Sequence, residues 1–386
     1  MTGRRGRFGE AMSQLFRSIF KGKKVFVTGH TGFKGSWLCE WLLLLGAEVT
    51  GFSLPAPTRP ALFEQLALAN RLHHLTGDVR DPQMLEKAIE TAQPDFVFHL
   101  AAQAIVRESY LHPFDTFEVN TMGTARLLDA LRGIKKPCAA VFITTDKCYE
   151  NREWIHGYRE EDPLGGHDPY SASKAGAEMV IHSYRRSFFG SHPVKIASAR
   201  AGNVIGGGDW AADRIVPDCI RALRKGEAIP VRNKLATRPW QHVLEPLSGY
   251  LWLAASLAHP ELASSAPLLL SSAFNFGPGH DANRTVADLV VEVLKHWPGR
   301  WEDRSDPNAL HEAKLLQLST DKAHALLGWS SVWKFSTTIE KTIAWYQTVG
   351  MQHDAAKAAN LTASQINNYT IDAAAGGVRW AANRDL

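Results

Sequence analysis

The stretch Thr28-Gly29-His30-Thr31-Gly32-Phe33-Lys34-Gly35 lies between a β-branched apolar run, 24–28, and a second apolar run, 35–45, that ends at Gly46. The first run is typical of a buried strand and the second of a helix. Glycines spaced Gly-x-x-Gly-x-x-Gly between a strand and a helix let backbone N–H groups approach a pyrophosphate, and the helix N-terminus adds partial positive charge. We therefore predict that the loop from Gly29 to Gly35 binds a dinucleotide, in preference to a purely structural turn.

The alternation of apolar strands with helices continues to residue 200. Strands are predicted at 24–28, 48–52, 75–79, 95–100, 139–144 and 194–200, and helices at 35–45, 82–93, 113–133 and 172–189. Because each apolar strand is followed by a helix, the pattern predicts an α/β fold with a doubly wound parallel sheet of the Rossmann type.

Beyond Asn203 the sequence changes to loop-like and proline-punctuated segments, which indicates a second, smaller domain. We predict an N-terminal extension at 1–23, a dinucleotide-binding domain at 24–202, a smaller α/β substrate-binding domain at 203–350 and a C-terminal tail at 351–386. Part of 236–276 is expected to return to the first domain. The tail is rich in alanine and asparagine and carries little sign of a core.

Composition narrows the class of protein. The chain has 386 residues, of which 45% are hydrophobic, and its formal net charge of +4 is too small to indicate nucleic-acid binding. The longest apolar stretch, 247–270, is interrupted by His259, Pro260 and Glu261, so no membrane span is expected. The four cysteines are scattered without metal-ligand spacing, which favours free thiols, no metal and a cytoplasmic location.

A second motif, Tyr170-Ser171-Ala172-Ser173-Lys174, opens the helical pattern after the fifth predicted strand. Tyr170 and Lys174 are four residues apart and therefore share one face of a helix. A lysine ammonium beside a phenol favours the phenolate, so we expect Lys174 to lower the pKa of Tyr170. Tyr170 would then take the proton of a substrate hydroxyl as a hydride leaves the same carbon, and Lys174 would also hold the cofactor ribose.

Further cofactor contacts are expected where the strands end. The acid that usually follows the second strand is missing, because Phe52-Ser53-Leu54-Pro55 occupies that region, and Arg59 is close in sequence without being adjacent. This position therefore leaves the choice between NAD and NADP open. Residues after the third and fourth strands are predicted to flank the adenine and the rest of the nucleotide: Asp78, Val79, Leu100, Ala101, Ala102 and Gln103.

With these two motifs, the chain from Lys24 to Gln347 resembles the extended short-chain dehydrogenase/reductases. The resemblance implies NAD as the cofactor. It also implies Asn120 as a structural and active-site helper and Thr145 as a hydroxyl donor to the 4-oxygen of a sugar. Relatives pair as homodimers through the helices that correspond to 113–133 and 172–189, so a homodimer is expected as well.

The triplet Thr145-Asp146-Lys147 narrows the resemblance to sugar-nucleotide 4,6-dehydratases, because 4-epimerases generally lack the acid and its partner. In the dehydratase reaction, oxidation at C4 acidifies the C5 proton, a base removes it, an acid protonates the departing C6 hydroxyl, and the hydride returns to C6. We predict Asp146 as the acid, with a pKa raised by burial, and Lys147 as the base, with a pKa lowered by burial and nearby positive charge. A surface pair after a strand is the alternative.

Four longer stretches are similar to CDP-glucose 4,6-dehydratases: 29–38, 145–149, 203–210 and 238–243. His30 is unusual for the wider superfamily, and the resemblance implies a looser hold on NAD. A solvent-facing turn residue is an equally weighted alternative for His30. Glu245 stands where relatives usually carry aspartate, which is a small departure.

Candidate substrate-binding residues follow the sixth strand. Asn203, Asp213 and Arg214 are predicted to meet the nucleotide diphosphate or base, and the planar guanidinium of Arg238 suits a phosphate. Each of them could instead belong to a structural ion pair. Three residues after the fourth strand, where the cleft of such a sheet opens, are predicted to touch sugar or nicotinamide: Gln103, Arg107 and Ser109.

The resemblance implies a lyase that converts CDP-glucose to CDP-4-keto-6-deoxyglucose at the start of deoxysugar synthesis for surface polysaccharide, with a nucleotide-sugar substrate and no nucleic-acid partner. Two enzymatic alternatives are a dehydratase of UDP- or TDP-sugars and a 4-epimerase; no spacing rule identifies cytosine. A catalytically silent NAD-sensing protein is the alternative from another class. Intact Tyr170 and Lys174 disfavour it.

Overall fold

The computed structural model describes residues 14–263, 267–305, 315–351 and 354–382. In chain order the strands are β1 (Lys24–Thr28), β2 (Glu48–Ser53), β3 (His73–Thr76), β4 (Phe96–His99), β5 (Cys138–Ile143), β6 (Val194–Ala201), β7 (Val204–Ile205), β8 (Ile229–Val231), β9 (Thr237–Pro239), β10 (Gln241–His242), β11 (Ala273–Phe276), β12 (Asn283–Thr285) and β13 (Trp301–Asp303). The α-helices are α1 (Phe33–Leu44), α2 (Leu62–Gln65), α3 (Pro82–Ala92), α4 (Val106–Leu111), α5 (Pro113–Phe117), α6 (Gly123–Leu131), α7 (Pro169–Ser187), α8 (Ile215–Lys225), α9 (Leu244–Ala258), α10 (Pro267–Leu270), α11 (Val286–His296), α12 (Phe335–Val349) and α13 (Ala355–Ala375).

The central sheet has seven strands in the order β11-β6-β5-β4-β1-β2-β3, and every neighbouring pair is parallel. The predicted doubly wound parallel sheet is therefore confirmed. Chain order reverses between β1 and β4, and the carboxyl ends of these two strands meet at the same edge. Ligands of such folds bind in the crevice at this reversal, which is where the glycine loop lies.

Most predicted elements are found within about three residues of their predicted ends, and three features depart from the prediction. Strand β3 ends at Thr76, because its pairing with β2 stops at Ser53, so Asp78 lies beyond the strand. The helix predicted over 113–133 consists of α5, a π-helical turn at Glu118–Met122, and α6. The seventh strand, β11, was not predicted and pairs with β6 at the sheet edge. The division into two domains remains a prediction.

Two hydrophobic layers cover the sheet because side chains of a strand alternate between its faces. On β1, Val25 and Val27 join one buried cluster, whereas Phe26 joins the other. Helix α9 packs on β5 and β6, and all its residues from Leu244 to Leu257 are buried, which accounts for its apolar sequence. Among the described residues, no helix has the length and apolar character needed to cross a membrane.

The C-terminal segment belongs to the core, contrary to what its composition suggested. Helix α13 packs against α1 and α12, and Ile366 and Tyr369 are fully buried. After α13, Trp380 stacks on Phe16 with ring centroids 4.9 Å apart. Both ends of the described chain therefore support the helix that follows the glycine loop.

Candidate active site

The glycine loop joins β1 to α1 at the carboxyl edge of the sheet. Gly29 has a φ of +74°, and a Cβ at this position would lie 2.6 Å from the amide nitrogen of Ala101. A Cβ at position 35 would overlap the carbonyl oxygen of Gly29. Because only glycine permits this close packing, the backbone is left open towards the N-terminus of α1, as a bound pyrophosphate requires. The loop therefore fits a dinucleotide.

His30 is fully buried, so the alternative of a solvent-facing residue is wrong. Its imidazole lies over Gly51 of β2, and its Nε2 atom is 2.7 Å from Nδ1 of His74. Burial and the neighbouring His74 lower the pKa of His30 to about 4. The side chain is therefore a neutral filler between the glycine loop and β2 at neutral pH.

The end of β2 presents hydroxyl groups to the glycine loop. Thr31 Oγ1 lies 2.9 Å from Ser53 Oγ and donates a hydrogen bond of 2.9 Å to the carbonyl oxygen of Leu54. Residues 52–55 carry no acid at this strand end, where NAD-binding folds commonly have one, and the contacts of Thr31 here are to a hydroxyl and a carbonyl group.

Residues after β3 and β4 reach the same edge. Burial disfavours the charged form of Asp78, but hydrogen bonds and the charge of Arg80 outweigh it and hold the pKa of Asp78 below its usual value. Val79 is buried. The amide nitrogen of Ala101 donates to Thr28 Oγ1, which ties the Leu100–Ala102 segment to the end of β1.

Asn120 is placed by the π-helical turn and joins the loop after β4 to α7. Its amide exchanges two hydrogen bonds with the backbone of Gln103, of 2.9 and 3.0 Å, and donates a third to Ser173 Oγ. The Gln103 side chain is occupied as well, since it donates to Thr116 Oγ1 and accepts from the amide of Ile105. Asn120 thus connects the loop after β4 to α7 by hydrogen bonds, and Gln103 belongs to the same hydrogen-bond network.

Tyr170 and Lys174 lie on the first two turns of α7. The helix begins here because Asp168 caps it, accepting from the amide of Ser171, and Pro169 occupies its first position. Lys174 Nζ donates to the carbonyl oxygen of Ile143 at 3.3 Å. Burial lowers the pKa of Lys174 to about 8.

The expected lowering of the tyrosine pKa is not what the structure gives. Burial raises the pKa of Tyr170 to about 12, and it outweighs a hydrogen bond with Thr145 and the charge of Arg214, which both act in the lowering direction. The prediction overestimated the effect of Lys174 on the pKa of Tyr170. The spacing of four shows that the two residues share a helix face, but it does not show how strongly the fold desolvates the phenol.

One residue, Thr144, separates β5 from the triplet, whose last two residues enter a short 3₁₀ turn, Asp146–Cys148. Thr145 Oγ1 donates to Asp146 Oδ1 at 3.0 Å and accepts from the amide of Lys147. Asp146 is only 2% exposed, and burial raises its pKa despite the positive charges of Lys147 and Arg238. The alternative of an exposed pair therefore fails for Asp146, whereas Lys147 is half-buried.

Cationic side chains converge on this edge. Lys34, from the glycine loop, lies 3.4 Å from the hydroxyl of Tyr250, and burial, Arg214 and Lys174 lower its pKa to about 7. Arg214 pairs with Asp209 at 3.1 Å, and Arg238 is buried within electrostatic reach of Asp146. A cleft with this charge suits an anionic diphosphate.

The structure also shows the surroundings of the remaining predicted substrate-binding residues. Arg107 and Arg232 both pair with Asp213, which matches the structural ion-pair alternative for that residue. The Ser109 hydroxyl is fully buried and donates to the carbonyl oxygen of Val106, and its contact with sugar or nicotinamide stays a prediction. Asn203 lies half-buried between β6 and β7.

Sequence reasoning missed two residues of this region. Glu178 follows Lys174 by four residues on α7, so the helical spacing could have identified it. Tyr250 belongs to the predominantly apolar helix α9, and its spacing in the sequence gives no sign of its contact with Lys34. Within the described ranges, no group of three or more His, Cys, Asp or Glu side chains is arranged to hold a metal ion.

These features define a sugar-nucleotide-modifying member of the short-chain dehydrogenase/reductases, with an acid beside the tyrosine–lysine pair. Residues 26–342 match the GDP-mannose 4,6 dehydratase family, and the chain belongs to this family. It is 45% identical over 340 residues to the CDP-glucose 4,6-dehydratase of Salmonella typhimurium strain LT2, covering 86% of this chain and 92% of that protein. It is 29% identical to the dTDP-glucose 4,6-dehydratase of Streptomyces antibioticus, covering 84% and 92% of the two chains.

Solved structures show the same fold. The UDP-glucose 4-epimerase of Thermus thermophilus in complex with NAD superposes with a TM-score of 0.70 at 26% identity, covering 84% of this chain and 98% of that chain. The dTDP-glucose 4,6-dehydratase of Streptomyces venezuelae gives a TM-score of 0.70 at 24% identity, covering 84% and 96%. The fold is therefore shared by dehydratases and epimerases, and the residues beside Tyr170 have to distinguish them.

Proposed function

We propose that the protein is an NAD-dependent lyase that converts CDP-glucose to CDP-4-keto-6-deoxyglucose and water. One observation carries the proposal: a buried carboxyl group, Asp146, accepts a hydrogen bond from Thr145, whose hydroxyl also interacts with Tyr170. A simple oxidation or epimerisation at C4 needs no acid at this place. The 45% identity with a CDP-glucose 4,6-dehydratase supports the choice of nucleotide.

NAD, held by the glycine loop and Lys174, would supply the hydride acceptor for oxidation at C4 and the hydride donor for C6. We assign Tyr170 as the base for the proton of the C4 hydroxyl, a role that requires Lys174 and bound NAD⁺ to lower the pKa that burial raises, and Thr145 orients that oxygen. Lys174 supplies positive charge beside the phenol and holds the cofactor ribose. The backbone of the glycine loop and the end of α1 hold the pyrophosphate.

The elimination uses the other two residues of the triplet. Lys147 takes the C5 proton, which the neighbouring C4 ketone has acidified. Asp146, whose pKa is raised by burial, gives its proton to the C6 hydroxyl as the C6–O bond breaks, so that water leaves. Lys147 returns a proton to C5 when the hydride reaches C6. Arg214 and Arg238 are the cations that we assign to the nucleotide diphosphate.

We also propose that the protein is a cytoplasmic homodimer. Exposed apolar side chains on neighbouring helices support a self-association surface: Leu111 on α4, Phe114 on α5 and Met179 on α7 are 71%, 76% and 57% exposed. The four cysteines are free and buried, which suits a reducing compartment. Sedimentation at several protein concentrations tests the dimer, and a charge at Phe114 is expected to yield monomers.

The decisive experiment incubates the purified protein with NAD and, in parallel, CDP-glucose, UDP-glucose or TDP-glucose, followed by product analysis. A 4-keto-6-deoxy sugar from CDP-glucose alone is the expected result. Product from another nucleotide only would keep the reaction and overturn the choice of base. A C4 epimer without a keto product would contradict the assignment of Asp146 and Lys147.

A further inference from the structure

A buried ion pair lies behind the proposed catalytic residues. Glu178 on α7 and Arg200 on β6 are 3–4% exposed at their side chains, with Arg200 Nη2 and Glu178 Oε2 2.8 Å apart. Burying two charges is costly unless hydrogen bonds satisfy them. The Glu178 carboxylate also accepts from Thr144 Oγ1 at 2.5 Å and from Ser198 Oγ at 2.8 Å. Three donors therefore satisfy the Glu178 carboxylate, whereas Arg200 Nε is buried without a hydrogen-bond partner among the described residues.

This pair contacts the chain on both sides of the triplet. On the N-terminal side, Glu178 holds the hydroxyl of Thr144, the residue before Thr145. On the C-terminal side, Arg200 Nη1 donates to the hydroxyl of Tyr149 at 2.7 Å, and the guanidinium lies 4.9 Å from the ring centroid. The triplet Thr145-Asp146-Lys147 therefore lies between Thr144 and Tyr149, and the same ion pair holds both of these residues by hydrogen bonds.

The contacts also set the triplet against α7. Three consecutive residues, 143–145, interact with three α7 residues spaced four apart: the Ile143 carbonyl accepts from Lys174, the Thr144 hydroxyl donates to Glu178, and the Thr145 hydroxyl interacts with Tyr170. Residues spaced by four lie along one helix face. Glu178 therefore provides the outermost of three attachments that fix Asp146 relative to Tyr170.

We propose that Glu178 and Arg200 are positioning residues that hold the triplet at its working distance from Tyr170 and Lys174. The kinetic test of this positioning role rests on the proposed function, because it measures turnover of the nucleotide sugar. Tyr170 and Lys174 are carried by α7 itself, whereas Asp146 and Lys147 depend on the attachment of Thr144 and Tyr149. Loosening the pair is therefore expected to impair elimination more than oxidation at C4. A displacement of about 1 Å at a catalytic group can cost about 100-fold in rate.

A second ion pair offers a matched control. Glu40 on α1 is also buried, and Arg71 pairs with it at 2.6 Å. Arg71 further donates to the carbonyl oxygen of Leu66, and the two residues have no hydrogen bond to the triplet or to α7. Glu40→Gln and Glu178→Gln thus make the same chemical change, and only the second touches the attachment of the triplet.

The experiment measures kcat, KM for the nucleotide sugar and thermal unfolding of Glu178→Gln, Thr144→Val and Glu40→Gln, with reduced nicotinamide followed in a single turnover. We expect kcat to fall about 100-fold in Glu178→Gln and about 10-fold in Thr144→Val, with KM within about twofold, as misplacement of catalytic groups predicts. Reduced nicotinamide should accumulate in both variants, because elimination is the slower step. Glu40→Gln should lower thermal stability and leave kcat unchanged.

Equal kcat in Glu178→Gln and Glu40→Gln would overturn the inference and leave the pair a structural one. Should Glu178→Gln fail to fold, an unchanged kcat in Thr144→Val has the same consequence. If the wild-type protein prefers another nucleotide sugar, the series is run with that substrate. If the wild-type protein turns over none of these substrates, the proposed function fails. A crystal structure of Thr144→Val then tests the positioning role by itself. The turn at Asp146–Cys148 should shift relative to α7, and an unmoved turn would overturn the inference.

Discussion

Two buried carboxyl groups, Asp146 and Glu245, look alike by burial and differ in what surrounds them. Glu245 on α9 is fully buried, and burial raises its pKa to about 7. It accepts hydrogen bonds from the amides of Val332 and Trp333, at 2.9 and 2.7 Å, and from the hydroxyl of Tyr369 at 2.8 Å. All of its partners belong to the C-terminal part of the chain, so the group fastens α12 and α13 to the core.

Asp146 has a different environment. Its hydrogen-bond partner, Thr145, contacts Tyr170, and the charges acting on it come from Lys147 and Arg238 at the edge of the cleft. A perturbed carboxyl indicates a functional site only when its neighbours can also meet a ligand. The partners of each carboxyl group, and not its pKa shift, therefore separate the catalytic candidate from the structural one.

The largest expected difference comes from removing one hydroxyl in each region. Tyr170→Phe removes the proposed base and should lower kcat about 10³-fold with unfolding temperature unchanged, as loss of a general base predicts. Tyr369→Phe removes a donor to Glu245 and should cost about 1–3 kcal/mol of unfolding free energy with kcat unchanged. Turnover assays and thermal unfolding check both. A stable, fully active Tyr170→Phe variant would remove the basis of the proposed mechanism.

The next largest difference is expected when each carboxyl group is replaced by the corresponding amide. Asp146→Asn should lower kcat about 100-fold and let reduced nicotinamide accumulate, because oxidation at C4 proceeds while the C6 hydroxyl lacks its acid. Glu245→Gln should leave kcat unchanged and cost about 1–3 kcal/mol of stability, since an amide N–H then faces a backbone donor. Single-turnover absorbance and denaturant unfolding measure the two effects. Unchanged turnover in Asp146→Asn would show that another group is the acid.

The local motifs of the active site could be predicted from sequence because their physics is local. The glycine loop depends on three residues within one turn, and the shared face of Tyr170 and Lys174 follows from a spacing of four. The position of Asp146 followed from its place after a predicted strand, since strand ends share one edge of a parallel sheet. These inferences needed no knowledge of distant contacts.

The Glu245 cluster could not be predicted because its contacts are distant in sequence. Its partners lie 87, 88 and 124 residues away. The alanine-rich composition of α13 gave no indication that Tyr369 is buried. The pairing of β11 with β6 was not predicted either, because it joins segments that α8 and α9 separate along the chain. For the same reason, the burial that raises the pKa of Tyr170 was underestimated, since desolvation is produced by the packed fold and not by the motif.

A further expected effect is a pH dependence of stability that belongs to Glu245. Its pKa is raised in the folded state to about 7 from 4.5, so the folded protein binds more protons than the unfolded chain between these values. Stability from this group is therefore complete below pH 4.5 and is lost as the pH rises towards 7, by at most about 1.4 kcal/mol per pH unit.

Buried histidines act in the opposite direction, so the wild-type profile alone does not isolate Glu245. Burial lowers the pKa of His99 and His242 to about 3, so these residues destabilise the fold as the pH falls below 6.5. The informative quantity is the unfolding free energy of the wild type minus that of Glu245→Gln, measured by denaturant titration from pH 4.5 to pH 7.5. The histidine contributions cancel in this difference, which should decrease with pH. A flat difference would show that the three donors around Glu245 outweigh its burial, and that the group stays ionised across this range.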